Sequence, residues 1–360
     1  MIPPKGGNTM KKRRCKKVFW SIIIVVMSIG TLSRINHMVK LQKEQKQLLE
    51  YGVGNQIDVG GKSINIYTMG NEKADETIVY LHGLGIGDTT VSARPMFENF
   101  IKDYKVLLID RYGNGMSQDT GTRQGVKEIV EFYRKVLKKS KQKAPYILIA
   151  HSISGIYATY WAQNYPNEIQ SIIYLDADPA EWYVEQGKPD FMTLAFSRME
   201  CVASFIGLQR FIVPETALLG DLDIQMFTDE QNRMRKLLMY QNSFSRSSLS
   251  ELKLYYENAK TVVEENTNLF IPQLYIVATD IEGEYYKNVY LKKLQTRYNE
   301  NQYKIQKKIE ERRDIIQSKE EIMRKRGKIE VKEISGPHCL YEYVPEKTAE
   351  AIRNFLKAIN

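Results

Sequence analysis

The chain has 360 residues, of which 43% are hydrophobic and 26% charged, so its composition is that of a globular protein and excludes extensive disorder. Its formal charge of +9 is confined to residues 1–50, which hold eleven Lys or Arg and two Glu, while residues 51–360 are neutral overall. A neutral globular part excludes a nucleic-acid-binding surface as the main function, and we expect no nucleic-acid partner.

The basic N-terminus is followed by an apolar run. The cluster "KKRRCKK" precedes "VFWSIIIVVMSIGTL", and no A-x-A-like cleavage site follows. Basic residues before an apolar run hold the N-terminus on the cytoplasmic side. The sequence therefore predicts a cytoplasmic segment over 1–17, a single-pass transmembrane signal anchor over 18–33, a spacer over 34–55, and a domain over 56–360 on the extracytoplasmic side of the cell membrane. A cleaved export signal is the alternative, and it places the domain on the same side.

The cysteines and histidines are few and scattered. Cys15, Cys201 and Cys339 do not make a disulfide framework, and we predict unpaired thiols at Cys201 and Cys339, with a bridge between these two as the alternative. The four histidines have no metal-ligand spacing, so we expect no metal site.

Strand-like segments alternate with helices beyond the spacer. The segment "IDVGGKSINIYTMG" has Gly-Gly between two alternating runs and predicts a β-hairpin. Later strands are apolar throughout, as in "ETIVYLHGLG", "YKVLLIDRYGNGMS", "PYILIAHS", "SIIYLDADP" and "FIPQLYIVATD". Helical segments such as "GVKEIVEFYRKVLKKS" lie between them. This pattern predicts an α/β fold with a mostly parallel sheet covered by helices on both faces.

Two helical insertions interrupt the alternation. The first, about 179–267, is rich in Met and aromatic residues, and the second, about 285–328, is highly charged. Isoleucines at positions 305, 309, 315 and 322 of the second insertion have the spacing of an amphipathic helix or helical hairpin. We predict a solvated arm for the second insertion, with an arm that faces a partner or a membrane as the alternative.

The segment "PYILIAHSISGIYATYWAQNYP" turns from a buried strand directly into a helix. A helix N-terminus directs backbone N–H groups and a positive dipole end at whatever lies there. A serine at this corner is the arrangement of a nucleophile elbow, usually G-x-S-x-G. Here Ser152 stands at the centre, Ala150 and Ser154 replace the two glycines, and Gly155 follows. Ser152 is therefore the candidate nucleophile, and a helix N-cap serine is the alternative.

Two further segments complete a candidate site. The turn "LHGLG" follows an earlier strand and places the N–H of Leu84 near the elbow, paired with the N–H of Ile153 as an oxyanion hole. A serine hydroxyl needs a base at neutral pH. We predict His338 as this base, because "EISGPHCLYEYVPE" lies between the last strand and the last helix, at the edge where such sheets bind ligands. The glycine turn in "DRYGNGMS" follows the next strand, and we predict that it has a structural role beside the site.

These motifs together resemble the α/β-hydrolase superfamily over about residues 56–180 and 270–360. The elbow "HSISG" is most similar to that of bacterial, membrane-anchored serine hydrolases in which it reads His-Ser-x-Ser-Gly. The resemblance implies an α/β-hydrolase fold, a helical cap in the first insertion, and catalytic residues in the order Ser, acid, His. A serine nucleophile implies acyl transfer without a cofactor, and argues against the epoxide or haloalkane chemistry of relatives that use aspartate.

More than one residue of the sequence is a candidate for the acid of this set. Relatives often end the seventh strand as P-x-L-x-I-x-G-x-x-D, but "IPQLYIVATDIEGE" has Ala278 for the glycine and reaches Asp280 one residue early. Glu282 and Glu284 are nearby candidates, and Asp176 at the end of the sixth strand is the alternative acid. We predict Asp280, which would fix the imidazole tautomer and stabilise the imidazolium.

The sequence therefore predicts an esterase- or lipase-like serine hydrolase that cleaves an ester or amide of a small, hydrophobic substrate through an acyl-enzyme on Ser152. One alternative is an aminopeptidase similar to prolyl iminopeptidases, in which Glu181 and Glu185 bind the α-amino group. The other is a catalytically inactive hydrolase-fold protein that binds a ligand or partner.

Overall fold

A computed structural model describes residues 7–219, 225–265 and 267–359. Eight strands form one sheet in the order β1-β2-β4-β3-β5-β6-β7-β8. The strands are β1 Asn55–Asp58, β2 Ser63–Gly70, β3 Thr77–Leu81, β4 Lys105–Ile109, β5 Tyr146–His151, β6 Ile169–Leu175, β7 Gln273–Ala278 and β8 Ile329–Ile334. The β1–β2 pair is the predicted antiparallel hairpin, β2 also pairs antiparallel with β4, and all other pairs are parallel. The predicted α/β class with a mostly parallel sheet is confirmed.

Within the described ranges, ten helices of seven or more residues surround or extend from this sheet. They are α1 Gly7–Glu50, α2 Val126–Lys139, α3 Ser154–Asn164, α4 Ala180–Gln186, α5 Phe191–Ile206, α6 Asp229–Gln241, α7 Arg246–Glu265, α8 Leu291–Arg297, α9 Gln302–Lys325 and α10 Pro345–Ile359. Shorter helical turns lie at Thr89–Ser92, Arg94–Phe97, Glu98–Phe100, Pro166–Glu168, Gln209–Ile212, Glu215–Leu219, Gly283–Tyr285, Tyr286–Tyr290 and Leu340–Tyr343.

The sheet is buried on both faces, which explains why its central strands are apolar without alternation. All six residues of β5 are buried. One face packs against α2 and α3, where Trp161 is fully buried, and the other packs against α10 and the turn that contains Phe97. The helices α4 to α7 lie between β6 and β7 and form the cap, and α8 and α9 lie between β7 and β8.

The segment predicted as a spacer is part of the packed domain. Helix α1 is continuous, and its exposed stretch within Lys16–Glu50 is long and apolar enough to cross a membrane. Beyond that stretch, however, Leu48 and Val53 are fully buried against Val91 and Leu238. The spacer prediction is wrong because these apolar side chains, set among polar residues, face the cap.

The second insertion also differs from its prediction. Helix α9 buries one face, formed by Ile305, Ile309, Ile316 and Met323. Ile316 and Met323 belong to the same apolar cluster as the sheet. The amphipathic helix is confirmed, but its buried face includes Ile316 and Met323 in place of Ile315 and Ile322. The solvated arm is wrong, because the helix lies along the fold beside the carboxyl ends of β6 and β7.

Candidate active site

Four candidate residues follow the ends of four neighbouring parallel strands. Ser152 follows β5, Asp176 follows β6, Asp280 lies two residues after β7, and His338 lies four residues after β8. The carboxyl ends of parallel strands meet at one edge of a sheet, where such folds bind ligands. The sheet order therefore brings these residues to the same edge.

Ser152 lies in a tight strand-to-helix corner. Its φ is +57°, in the left-handed region that costs a non-glycine residue free energy and occurs mainly at special sites. A methyl group at Gly155 would lie 2.9 Å from the Ala177 side chain, so the glycine allows α3 to pass close to the end of β6. The elbow geometry expected from the sequence is present, with Ser152 partly exposed at its tip.

His338 contacts the carboxylate of Asp176. The distance from Nδ1 to Oδ2 is 2.6 Å, and the other oxygen of Asp176 accepts a hydrogen bond from the N–H of Ala278 at 3.0 Å. Asp176 is buried, while the His338 side chain is 47% exposed. Because a carboxylate only accepts, Nδ1 of His338 carries the proton in the neutral ring, and Nε2 is left as the basic nitrogen.

The predicted acid Asp280 lies elsewhere. Its carboxylate accepts a hydrogen bond from Nε of Arg312 on α9 at 2.9 Å. The preference for Asp280 over Asp176 is therefore corrected by the geometry: Asp176 contacts the imidazole, and Asp280 pairs with the second insertion. Glu282 is exposed, and the side chain of Glu284 lies outside the described residues.

The contact between Asp176 and His338 raises the pKa of His338 and lowers the pKa of Asp176, and both shifts favour the charged forms. Burial tends to lower the pKa of His338, but the hydrogen bond and charge of Asp176 outweigh it and raise the pKa above 6.5. Burial tends to raise the pKa of Asp176, but the His338 hydrogen bond, the His338 charge, the Ala278 N–H and the charge of Lys319 lower it. Asp176 is therefore suited to stabilise a protonated His338.

The predicted oxyanion donors flank the elbow. A methyl group at Gly83, next to Leu84, would lie 3.3 Å from Cβ of Ser152, so this loop touches the corner directly. Among the described residues, neither the N–H of Leu84 nor that of Ile153 donates a hydrogen bond to a loop or turn carbonyl. Two such N–H groups beside a serine are what an oxyanion requires.

A buried network that the sequence did not indicate supports this loop. Arg111 donates to the carbonyl oxygens of His82 and Gly83 at 2.6 and 3.1 Å. Its guanidinium also pairs with Glu251 of cap helix α7 at 2.7 Å, and both side chains are nearly inaccessible. The hydroxyl of Ser154 donates to the His82 carbonyl at 2.5 Å. The second serine of "HSISG" therefore links the helix behind the nucleophile to the loop that carries Leu84.

The two other histidines near the site have structural roles. His82 accepts the N–H of Arg111 and donates to the carbonyl of Gly83. His151 is fully buried and donates to the His338 carbonyl at 3.2 Å, and its ring centroid lies 4.5 Å from that of His338 with the two ring planes tilted by 41°. Burial and the neighbouring His338 lower the pKa of His151 to about 3, so it stays neutral.

Helix α9 also approaches the site. Lys319 forms an ion pair with Asp178, two residues beyond Asp176. The charge pattern of the insertion was visible in the sequence, but no local signal indicated which of its cations would face the site. Among the described residues, no group of three or more His, Cys, Asp or Glu is placed to hold a metal ion.

Comparisons with known proteins agree with this architecture. A family profile described as the alpha/beta hydrolase fold matches residues 76–197. An uncharacterised protein of Bacillus subtilis, YbdG, is 30% identical over 345 residues, which cover 96% of this chain and 97% of that protein.

Solved structures extend the likeness to the whole domain. A haloalkane dehalogenase variant from Bradyrhizobium elkanii has a TM-score of 0.58 at 11% identity and covers 85% of this chain and 96% of its own. An enol-lactonase from Burkholderia xenovorans has a TM-score of 0.55 at 13% identity, over 84% of this chain and all of its own. A lipase described as putative, from Acinetobacter baumannii, has a TM-score of 0.55 at 15% identity and covers 90% of this chain and 96% of its own. At these identities the likeness is one of fold.

Proposed function

The chain belongs to the α/β-hydrolase superfamily, and on that premise we propose that it is a serine hydrolase that cleaves an ester or amide through an acyl-enzyme on Ser152. The observation that carries the proposal is the Asp176–His338 hydrogen bond of 2.6 Å at the same sheet edge as a serine held at φ +57°. Asp176, rather than Asp280, takes the role of the acid.

The proposed mechanism assigns a role to each of these residues. Nε2 of His338 accepts the proton of the Ser152 hydroxyl as the oxygen attacks the substrate carbonyl. Asp176 stabilises the imidazolium, and the N–H groups of Leu84 and Ile153 donate to the oxyanion. His338 then protonates the leaving group, and water, deprotonated by His338, releases the acyl group. Removal of one oxyanion donor typically costs about 3 kcal/mol of barrier.

The aminopeptidase alternative is less favoured because one of its two proposed carboxylates already has a partner. Glu181, one of the two carboxylates considered for binding an α-amino group, accepts a hydrogen bond from Nε of Arg326 at 3.0 Å. A carboxylate already paired with arginine is poorly suited to bind a second cation. We therefore prefer a small, hydrophobic ester or amide.

We also propose that α1 remains uncleaved and anchors the domain outside the cytoplasm. Arg210 of the cap donates to both carboxylate oxygens of Glu44 at 2.6 Å and to Nδ1 of His37 at 2.8 Å. These residues follow the apolar run on the same continuous helix, so the packing of α1 holds the end of the run against the cap. A cleaved signal peptide is usually followed by a cleavage site of small residues, and no A-x-A-like site follows this run.

The test of the chemistry is labelling of the full-length protein with a fluorophosphonate probe. We expect one equivalent of label on the wild type, none on Ser152→Ala, and normal labelling of the control Ser140→Ala, whose hydroxyl caps α2 far from the site. Labelling that persists in Ser152→Ala would refute the assignment of the nucleophile. A folded wild type that takes no label would favour the non-catalytic binding protein.

A further inference from the structure

The cap helix α5 has its apolar side facing outward. The residues it buries are small or weakly polar: Ser197, Cys201 and Ser204. On the opposite side lie four large apolar side chains, here called the cap row, with exposures between 57% and 67%: Met192, Phe196, Met199 and Val202. A surface helix of a water-soluble protein shows the reverse pattern, because large apolar side chains are stabilised by burial and not by exposure to water.

The position of the cap row relative to α1 indicates what covers it. Ser33 donates to the carbonyl of Ile206 at 2.7 Å, and Arg34 donates to the carbonyl of Phe205 at 2.7 Å. The Arg34 guanidinium also lies 4.1 Å from the centroid of the Phe205 ring. Gly207 makes this approach possible, since a methyl group there would lie 2.5 Å from the His37 ring. The C-terminal end of α5 is therefore attached to the residues that directly follow the apolar run.

The length of that run fixes the depth of the attachment point. Fifteen residues from Val18 to Leu32 rise about 22 Å as a helix, less than the roughly 30 Å of a bilayer's hydrocarbon core. A short span places its flanking residues at or just inside the membrane surface. Ser33 and Arg34 therefore lie at that surface, and so do the cap residues bonded to them.

We propose that the cap row is a second membrane contact that lies in the lipid interface beside α1. Met199 is about 10 Å along α5 from Ile206, within the interfacial layer. Phe211 and Ile212, exposed at 62% and 63%, are two further large apolar side chains beyond the end of α5. The inference depends on the anchoring of α1 proposed above and is independent of the catalytic assignment.

The experiment measures the depth of a fluorophore on the full-length protein in lipid nanodiscs of phosphatidylcholine and phosphatidylglycerol. The native residues Cys15, Cys201 and Cys339 are replaced. A single cysteine, introduced by Met199→Cys, Val25→Cys or Phe270→Cys, is then labelled with the environment-sensitive fluorophore NBD. Val25 lies in the apolar run, and Phe270, which is 95% exposed, precedes β7 at the opposite edge of the sheet. Doxyl-labelled lipids serve as quenchers.

We expect the label at position 199 to be blue-shifted and quenched by lipid doxyl groups near the headgroup, the label at 25 to be quenched deeper, and the label at 270 to remain water-like. A label at 199 that matches the label at 270 would overturn the proposal. A blue shift at 199 without lipid quenching would mean that a second protein copy covers the row and would also overturn it. Loss of quenching at position 25 would show that α1 does not enter the lipid, and it would overturn the proposal as well. Fluorophosphonate labelling of the same samples tests the catalytic proposal separately.

Discussion

The cap and the second insertion both follow strands whose ends form the candidate site, but they contact the fold through different chemistry. The cap sends Glu251 into the interior, where it pairs with Arg111 behind the loop of Leu84. The second insertion instead places Arg312 and Lys319 on carboxylates at the ends of β7 and β6. The cap thus supports the candidate oxyanion loop, whereas the second insertion sets the charge around the candidate acid.

The strongest test of this difference compares substitutions of the two carboxylates, Asp176 after β6 and Asp280 after β7. Asp176→Asn should reduce kcat by roughly 10³–10⁴-fold, because the imidazolium loses its partner and the ring its tautomer. Asp280→Asn should change kcat by about fivefold or less, because it breaks an ion pair with Arg312 that does not touch His338. Steady-state kinetics on a chromogenic ester measures both.

The pH profile provides an independent readout of the same pair. The neutral form of His338 is the base, so the rate should fall as the pH decreases through its pKa, which lies above 6.5. Loss of the Asp176 charge lowers that pKa, so the acidic limb of Asp176→Asn should move to lower pH. If Asp280→Asn showed the larger loss and the shifted limb, the acid assignment would be reversed.

The next effect in size concerns the cap. Glu251→Gln leaves the buried Arg111 charge without a counter-ion, and breaking a buried pair typically costs about 3–5 kcal/mol of stability. Displacement of the Gly83 and Leu84 loop should also lower kcat by about 10²-fold. Because an oxyanion donor acts in the transition state, the loss should appear in kcat with little change in KM.

The matched control lies on the same helix. Glu257 pairs with Lys188 on the surface of α7, so Glu257→Gln should change stability by about 1 kcal/mol or less and leave kcat unchanged. The assay is run well below the midpoint of thermal unfolding of each variant. A Glu251→Gln enzyme with wild-type kcat under those conditions would limit the network to a structural role.

The parts of the site that sequence reasoning predicts are those encoded locally. The strands are continuous apolar runs, and the Ser152 corner is a single strand-turn-helix segment. The choice between Asp176 and Asp280 was not local: it depended on Arg312, which lies 32 residues after Asp280 and pairs with it. Glu251 lies 140 residues after Arg111, and nothing in "RSSLSELKLYY" distinguishes it from a surface glutamate. The position of Asp280, one residue earlier than the family pattern, was the available signal against assigning it as the acid.

The smallest predicted effect tests whether the second insertion tunes the site. The charge of Lys319 lowers the pKa of His338, and its pairing with Asp178 offsets a carboxylate that raises this pKa. In Lys319→Met both changes act in the same direction, so the pKa of His338 should rise and the acidic limb should move to higher pH, by less than about one unit. The kcat on the high-pH plateau should stay within about twofold, because Lys319 takes no part in the proposed chemistry.

Lys308→Met is the matched control. Lys308 lies on the same helix but pairs with Glu311 at the surface, so its substitution should leave the acidic limb in place. A limb that moved equally in both variants would show a general effect of net charge, and a limb that did not move in Lys319→Met would show that the second insertion contributes packing alone.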